Sequence, residues 1–195
     1  RGGRTYNATT FWNAEDGLIG VYTKRRLVPF AEYRPRLIGR WAPQNVLHGP
    51  RFAYTPGTDS QLVRVGPMTI GTFICQEVMF PGLVRQSVRH GAQLLVTTGN
   101  DGVFTNPIVA REQANLATLR AAENRRYLLR GMKTGISAVI DPYGRVIASG
   151  ALNARTITSG VVHPRQGLSL YTRLGDWIVW VAGFVVALAL GNRFR

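Results

Sequence analysis

The chain has 195 residues, 45% of them apolar and 17% charged, which is enough for one folded core and tight for two domains. One cysteine excludes an internal disulfide framework and any multi-cysteine zinc site, and three scattered histidines (His48, His90, His163) give no reason to expect a metal or another cofactor. Basic residues outnumber acidic ones 24 to 10, and the net charge of +14 favours anionic surroundings such as phospholipid headgroups or nucleic acid.

Tyr6–Trp12 and Leu18–Tyr22 read as strands joined by the turn Asn13–Gly17. Arg34–Gly57, rich in proline and arginine and without a period, reads as a long surface excursion. Gln61–Val65 and Met68–Ile74 are strand-like runs separated by Gly66-Pro67. Val84–His90 reads as a short helix closed by Gly91, and Leu94–Thr98 as a compact apolar strand. Asn106-Pro107 is a helix start, with asparagine as cap and proline at the first helical position. Leu116, Leu119, Ala122 and Leu129 keep a helical spacing that carries this helix to about Arg130. Ile136–Ile140 and Val146–Ala148 flank the turn Asp141-Pro142-Tyr143-Gly144, and Thr156–Val162 is expected as a last strand. The alternation predicts an α/β layered domain with partly parallel central strands.

The C-terminal end differs. Trp177–Leu190 carries no charge or strongly polar group, with Trp177 and Trp180 at one end and Arg193 and Arg195 at the other, as interfacial anchors would lie. Asp176 to Phe194 is 19 residues, roughly 28 Å of helix and close to a hydrocarbon core. A membrane helix over about 177–191 is therefore expected, with a buried core helix as the alternative. The chain opens Arg1-Gly2-Gly3-Arg4 without a methionine or a signal-peptide apolar region, so a longer parent protein is expected.

Two residues stand out chemically. Cys75 ends the strand Thr72-Phe73-Ile74, where active sites form in α/β sheets and where the following turn can aim backbone N–H groups at an anion. A buried, inert thiol is the alternative. Lys24 is one of only two lysines, beside Arg25 and Arg26, in a chain that otherwise uses arginine. Arginine keeps its proton, whereas lysine can exchange one or stabilise an oxyanion. Glu32 could hold Lys24 through a charge-assisted hydrogen bond, and Pro29 fixes the backbone between them. Arg25 and Arg26 are read as outward-facing.

Tyr22-x-Lys24-x-x-Leu27-Val28-Pro29-Phe30-x-Glu32, then Cys75-x-Glu77, then Asn100-Asp101, resembles the carbon–nitrogen hydrolase (nitrilase) superfamily. Leu27-Val28-Pro29-Phe30-x-Glu32 and the C-terminal apolar segment are similar to its apolipoprotein N-acyltransferase branch. Arg120-Ala121-x-Glu123, Thr134–Val139 and Gly167–Tyr171 extend the resemblance along the chain. It implies a four-layer α-β-β-α sandwich, here residues 1–170 as the C-terminal portion of such a domain, followed by a membrane-proximal segment and membrane helix in 171–195. It also implies a Glu–Lys–Cys triad, with Cys75 as nucleophile, Lys24 as second member, and Glu32, Glu77 and Gln76 in support. The family's glutamate base lies upstream of the lysine motif and has no match here, since Glu15 and Asp16 fall in a turn. The resemblance thus implies an active parent enzyme and an inactive fragment. Gln76 replaces the family's usual tyrosine, and the loop 100–104 lacks its usual tryptophan.

The function implied is transfer of an acyl chain from a phospholipid, through a cysteine thioester, to the N-terminal diacylglyceryl-cysteine of bacterial lipoproteins. The implied setting is the bacterial inner membrane, with a monomeric enzyme, several further membrane helices in the parent and the catalytic domain on the outer, periplasmic side. By the positive-inside rule Arg193 and Arg195 would lie in the cytoplasm. The alternative is a nitrilase-type amidase hydrolysing a small C–N substrate. Specific nucleic-acid binding is not expected, because the arginines are spread from end to end without a binding module.

Overall fold

Antiparallel hairpins at both flanks and three parallel strands joined by helices form the frame of the computed structural model, which describes residues 3–33, 35, 53–58, 62–103 and 106–191. β1 (Ala8–Asn13) and β2 (Gly17–Thr23) pair into a two-stranded ribbon. Its turn works because Asn13 accepts the backbone N–H of Asp16 at 2.6 Å and Gly17 takes φ 72°, a left-handed conformation that glycine adopts without a Cβ clash. β3 (Leu62–Val65) and β4 (Met68–Ile74) form a second hairpin around Gly66-Pro67.

From β4 the chain passes through α1 (Pro81–Arg89) to β5 (Leu94–Gly99), then through α2 (Pro107–Asn124) to β6 (Leu128–Met132). β7 (Ala138–Ile140) and β8 (Val146–Ser149) complete a six-stranded sheet in the order β3-β4-β5-β6-β7-β8. β4, β5 and β6 are parallel and the outer pairings antiparallel.

Alternation sorts the two faces. Phe73 and Leu95 join Val84 and Val88 of α1 and Ala117 and Ala121 of α2 in the main buried cluster. Gly71 lies under α1, where a Cβ would sit 2.8 Å from that of Ala92. The opposite face receives the ribbon: Gly20 abuts Val63, and the Thr9 and Thr98 hydroxyls are 2.7 Å apart. Of the four layers expected, the described residues supply the helices α1 and α2, the six-stranded sheet and part of a second sheet, β1–β2.

Four expectations need correction. α2 stops at Asn124, where Arg125 turns left-handed (φ 53°) and the Asn124 side chain bonds back to the Arg120 carbonyl. Leu129, read as a helical position, lies in a strand that Leu128 begins, because the central parallel position beside β5 buries Leu128 fully. Residues 156–162 join neither sheet, and Ile157 is 95% exposed. Gly160 rests over Val139 without entering a ladder. α1 also begins three residues before the expected Val84, because Pro81 supplies the helix start.

The fourth correction concerns the C-terminus, where α3 (Leu170–Leu174) and α4 (Trp177–Gly191) follow. α4 has 15 residues, roughly 22 Å at 1.5 Å per residue, short of a hydrocarbon core. Among the described residues no helix is long and apolar enough to cross a membrane. The core-helix alternative fails too, since α4 buries no residue. Arg193, Arg195, most of 34–57 and Phe104 lie outside the described residues.

Candidate active site

β4 delivers Cys75 to its carboxyl end, where extended backbone gives way to a 3-10 turn, Cys75–Met79, leading into Pro81 of α1. Cys75 itself has φ 53°, a left-handed conformation that costs a non-glycine residue about 1–3 kcal/mol. Gly99 on the adjacent strand makes room for it, since a Cβ there would lie 3.1 Å from Cys75 Cα. The thiol is partly buried and forms no disulfide. Burial pushes its pKa up, and the net direction is upward; the Lys24 charge opposes this, Asp101 adds to it, and hydrogen bonds from the Gln76 and Asn100 backbone N–H groups pull it down. Those two N–H groups and a lysine therefore converge on one sulfur.

Lys24 follows directly on β2 and is 2% exposed. Its Nζ donates to both Glu32 oxygens, at 2.8 and 3.0 Å. Glu32 is held in turn by Asn7 Nδ2 and the Val28 backbone N–H, both at 2.7 Å. The Leu27–Glu32 loop curls back to allow this: Pro29 fixes one dihedral, Phe30 turns left-handed at φ 64°, and the Glu32 N–H returns to the Val28 carbonyl at 2.9 Å. Glu32 is thereby an anchor with its lone pairs occupied.

Glu77, two residues after the thiol, is fully buried and takes four donors. They are the backbone N–H groups of Arg25 (2.7 Å), Arg26 (2.9 Å) and Ile74 (2.7 Å), and the Tyr22 hydroxyl (2.9 Å). Burial, then the Glu77 charge, drive the Tyr22 pKa strongly upward, which keeps it a neutral donor. Arg26 points outward over the Phe80 ring, as read from the sequence, whereas Arg25 is half-buried and donates to Gln86. Glu15 and Asp16 sit exposed at the far end of the ribbon.

Beneath the thiol lies a pair to which the sequence reading gave no role. Arg130 Nη2 donates to Asp101 Oδ2 at 2.7 Å, with Arg130 2% and Asp101 3% exposed. Arg130 Nε also donates to the Ile136 carbonyl. Burial raises the Asp101 pKa against the pull of Arg130, and burial lowers that of Arg130. The sequence signal for it is a charged residue inside the apolar run Tyr127–Met132.

Comparison with known proteins follows the same line. A carbon–nitrogen hydrolase family model matches residues 1–164. The chain is 34% identical over 180 residues to an apolipoprotein N-acyltransferase of Synechocystis sp., covering 88% of this chain and 33% of that protein. It is 35% identical over 179 residues to the apolipoprotein N-acyltransferase of Geobacter metallireducens, covering 90% and 34%. The chain thus spans about a third of the length of the curated relatives it matches. Among solved structures, Saccharomyces cerevisiae Nit3, a nitrilase-superfamily member, aligns at TM-score 0.58 and 22% identity, over 76% of this chain and 50% of that one. The C. elegans NitFhit protein aligns at 0.59 and 23%, over 77% and 36%. These two structures establish likeness of fold.

Proposed function

The chain belongs to the carbon–nitrogen hydrolase family, and from that premise we propose that it carries the thiol and lysine of an N-acyltransferase acting on lipoproteins. Cys75 is the nucleophile and Lys24 its electrostatic partner. One observation supports this above the others: the sole thiol and a buried lysine are brought within electrostatic reach although they belong to different sheets.

The Cys75 thiolate attacks the ester carbonyl carbon of a phospholipid. A C–S bond forms, the C–O bond to glycerol breaks, and the glycerol alkoxide takes a proton from water and leaves as lysophospholipid. The α-amine of a diacylglyceryl-cysteine then attacks the thioester; a C–N bond forms, the C–S bond breaks, and the thiolate returns as the amine loses a proton to the hydroxide left by the first step. Both steps pass through a tetrahedral oxyanion, which Lys24 and the Gln76 and Asn100 N–H groups are placed to stabilise. Glu32 and Glu77 position the site, and their occupied oxygens leave neither as the proton acceptor. Gln76 contributes its backbone N–H.

Residues 1–170 then form the hydrolase-type portion and 171–195 the membrane-proximal segment. α4, apolar and wholly unburied, favours lipid substrates over the small amide of a nitrilase-type amidase. The apolar, exposed α4 supports a place at a membrane surface, and the reading puts the domain on the outer face of the bacterial inner membrane. The test is transfer of a labelled acyl chain from phospholipid to a diacylglyceryl peptide by the complete gene product, beside its Cys75→Ser variant. The expected result is transfer with an acyl adduct on Cys75 in the wild type and neither in the variant. Equal transfer by Cys75→Ser, or hydrolysis of small amides without acyl transfer, would overturn the reading.

A further inference from the structure

At the opposite end of the parallel strands from Cys75 lies a cavity of about 610 Å³, lined by Arg64, Arg89, Arg126, Arg165, Gln93 and Leu168 among others. Thr69, at the start of β4, and Gln93, just before β5, form part of its floor. Cys75 follows the other end of β4, about 23 Å away along a seven-residue strand. The cavity is thus a place separate from the site described above.

Its charge is unbalanced. Four arginines face it, and no carboxylate is among its lining residues. Among the described residues none of the four forms an ion pair. Arg126 is 3% exposed and fixed by carbonyls: Nε to Ala92 at 2.7 Å, Nη2 to Gly167 at 2.7 Å, and Nη1 to Asn124 and Arg125. Burial, and then the neighbouring Arg165 charge, lower its pKa. Arg165 is tied to the opposite wall, its backbone N–H donating to the Gln93 carbonyl at 3.1 Å. The Gln93 side-chain oxygen accepts the Thr69 N–H at 2.9 Å, which leaves its amide protons as donors. Like charges held together on fixed elements without a counter-charge describe an anion receptor.

We propose that this cavity binds a phosphate group, supplied by the headgroup of an anionic phospholipid. A tetrahedral phosphate presents oxygens in several directions and so can meet guanidinium forks from several walls, whereas a planar carboxylate meets one or two. The source follows from the chain path: Leu168 in the wall precedes Ser169, the cap of α3, and the exposed Leu170 and Leu174 lead on to α4. The choice of lipid over free phosphate rests on the lipid-facing role proposed for α4; the phosphate chemistry does not, and neither depends on Cys75.

The test is calorimetric titration of the full chain in neutral detergent at fixed ionic strength, with short-chain phosphatidylglycerol in one arm and sodium phosphate in the other. Replacing the exposed residues in Arg64→Gln, Arg89→Gln and Arg165→Gln together should weaken phosphatidylglycerol binding roughly tenfold or more. The control Arg4→Gln, Arg111→Gln and Arg155→Gln, equally exposed and remote from the cavity, should change it less than about twofold. Equal losses in the two triple variants, or none, would reduce the effect to diffuse charge and overturn the proposal. Saturable binding of inorganic phosphate without binding of phosphatidylglycerol would overturn the lipid assignment. In the unmodified chain, phosphatidylglycerol should protect Arg64, Arg89 and Arg165 from phenylglyoxal; no protection would also overturn it.

Discussion

Glu77 accepts the backbone N–H of Arg25 at 2.7 Å, so the residue two places after the thiol holds the residue next to Lys24. With the Arg26 and Ile74 N–H groups on the same carboxylate, Glu77 fixes the distance between two segments that share no ladder. Three of its four donors are backbone, so no replacement of the neighbouring side chains can remove them.

Glu77→Gln turns one acceptor oxygen into a donor facing donors. Leaving buried N–H groups unsatisfied at about 1–3 kcal/mol each, it should destabilise the chain by about 2–4 kcal/mol. Tyr22→Phe removes only the hydroxyl and should cost about 1 kcal/mol. Denaturant melts of both variants check this. Equal losses would show that the hydroxyl, not the backbone, carries the bond network.

Lys24 should resist replacement even by arginine. At 2% exposure the larger planar guanidinium has no room, and overpacking should cost about 1–3 kcal/mol. Lys24→Met removes the charge that pulls the Cys75 pKa down, so the pH midpoint of iodoacetamide alkylation should move upward. An arginine variant with wild-type stability and alkylation profile would show that only positive charge matters at this position.

Asp101→Asn separates two effects. Arg130 becomes a buried charge without a partner, which should cost about 3–5 kcal/mol. The Asp101 charge raises the Cys75 pKa, so its removal should shift thiol alkylation to lower pH. A destabilised variant whose alkylation midpoint stays put would leave the pair as a purely structural strut.

The raised pKa values of Cys75 and Asp101 have a defined linkage sign. The folded chain holds each proton more tightly than the unfolded chain does. Each contribution is therefore full below the unfolded pKa, about 3.9 for Asp101 and 8.5 for Cys75, and is lost as pH rises through the folded value. Stability should fall above the ordinary thiol range, and Cys75→Ser should flatten that fall. An unchanged decline in the serine variant would assign it to another group.

Removing residues 176–195 should leave the far-ultraviolet spectrum of the sheet intact, since α4 buries nothing against it. Flotation with liposomes should be reduced and the remaining binding should become salt-sensitive, as expected for charge alone. Undiminished flotation of the truncated chain at high salt would refute a lipid-contacting role for α4.

Strands and turns were legible in the sequence because alternation, Gly66-Pro67 and Asp141–Gly144 are local signals. Cys75 and Lys24 were legible as chemical oddities, a lone thiol at a strand end and a lysine among arginines. Arg130 was not, because its meaning depends on Asp101, 29 residues away, and the helical spacing ran through it. Residues 156–162 misled because β-branched alternation signals a strand but does not supply a neighbour for it. Arg25 shows the same limit: Gln86, which draws it inward, lies 61 residues on.

Lys24 leaves the ribbon and Cys75 leaves the six-stranded sheet, and these two bodies meet through side chains rather than a shared ladder. The meeting is made at Thr9–Thr98 between β1 and β5, at Gly20–Val63 between β2 and β3, and at Glu77 on the turn. The seam can part while the six-stranded sheet stays whole, because no ladder hydrogen bond of that sheet crosses it. On heating, the thiol should therefore lose its lysine-dependent reactivity before the circular dichroism melts. Thermal failure of this protein would begin at a seam, and cooling before the sheets unravel should let it close again.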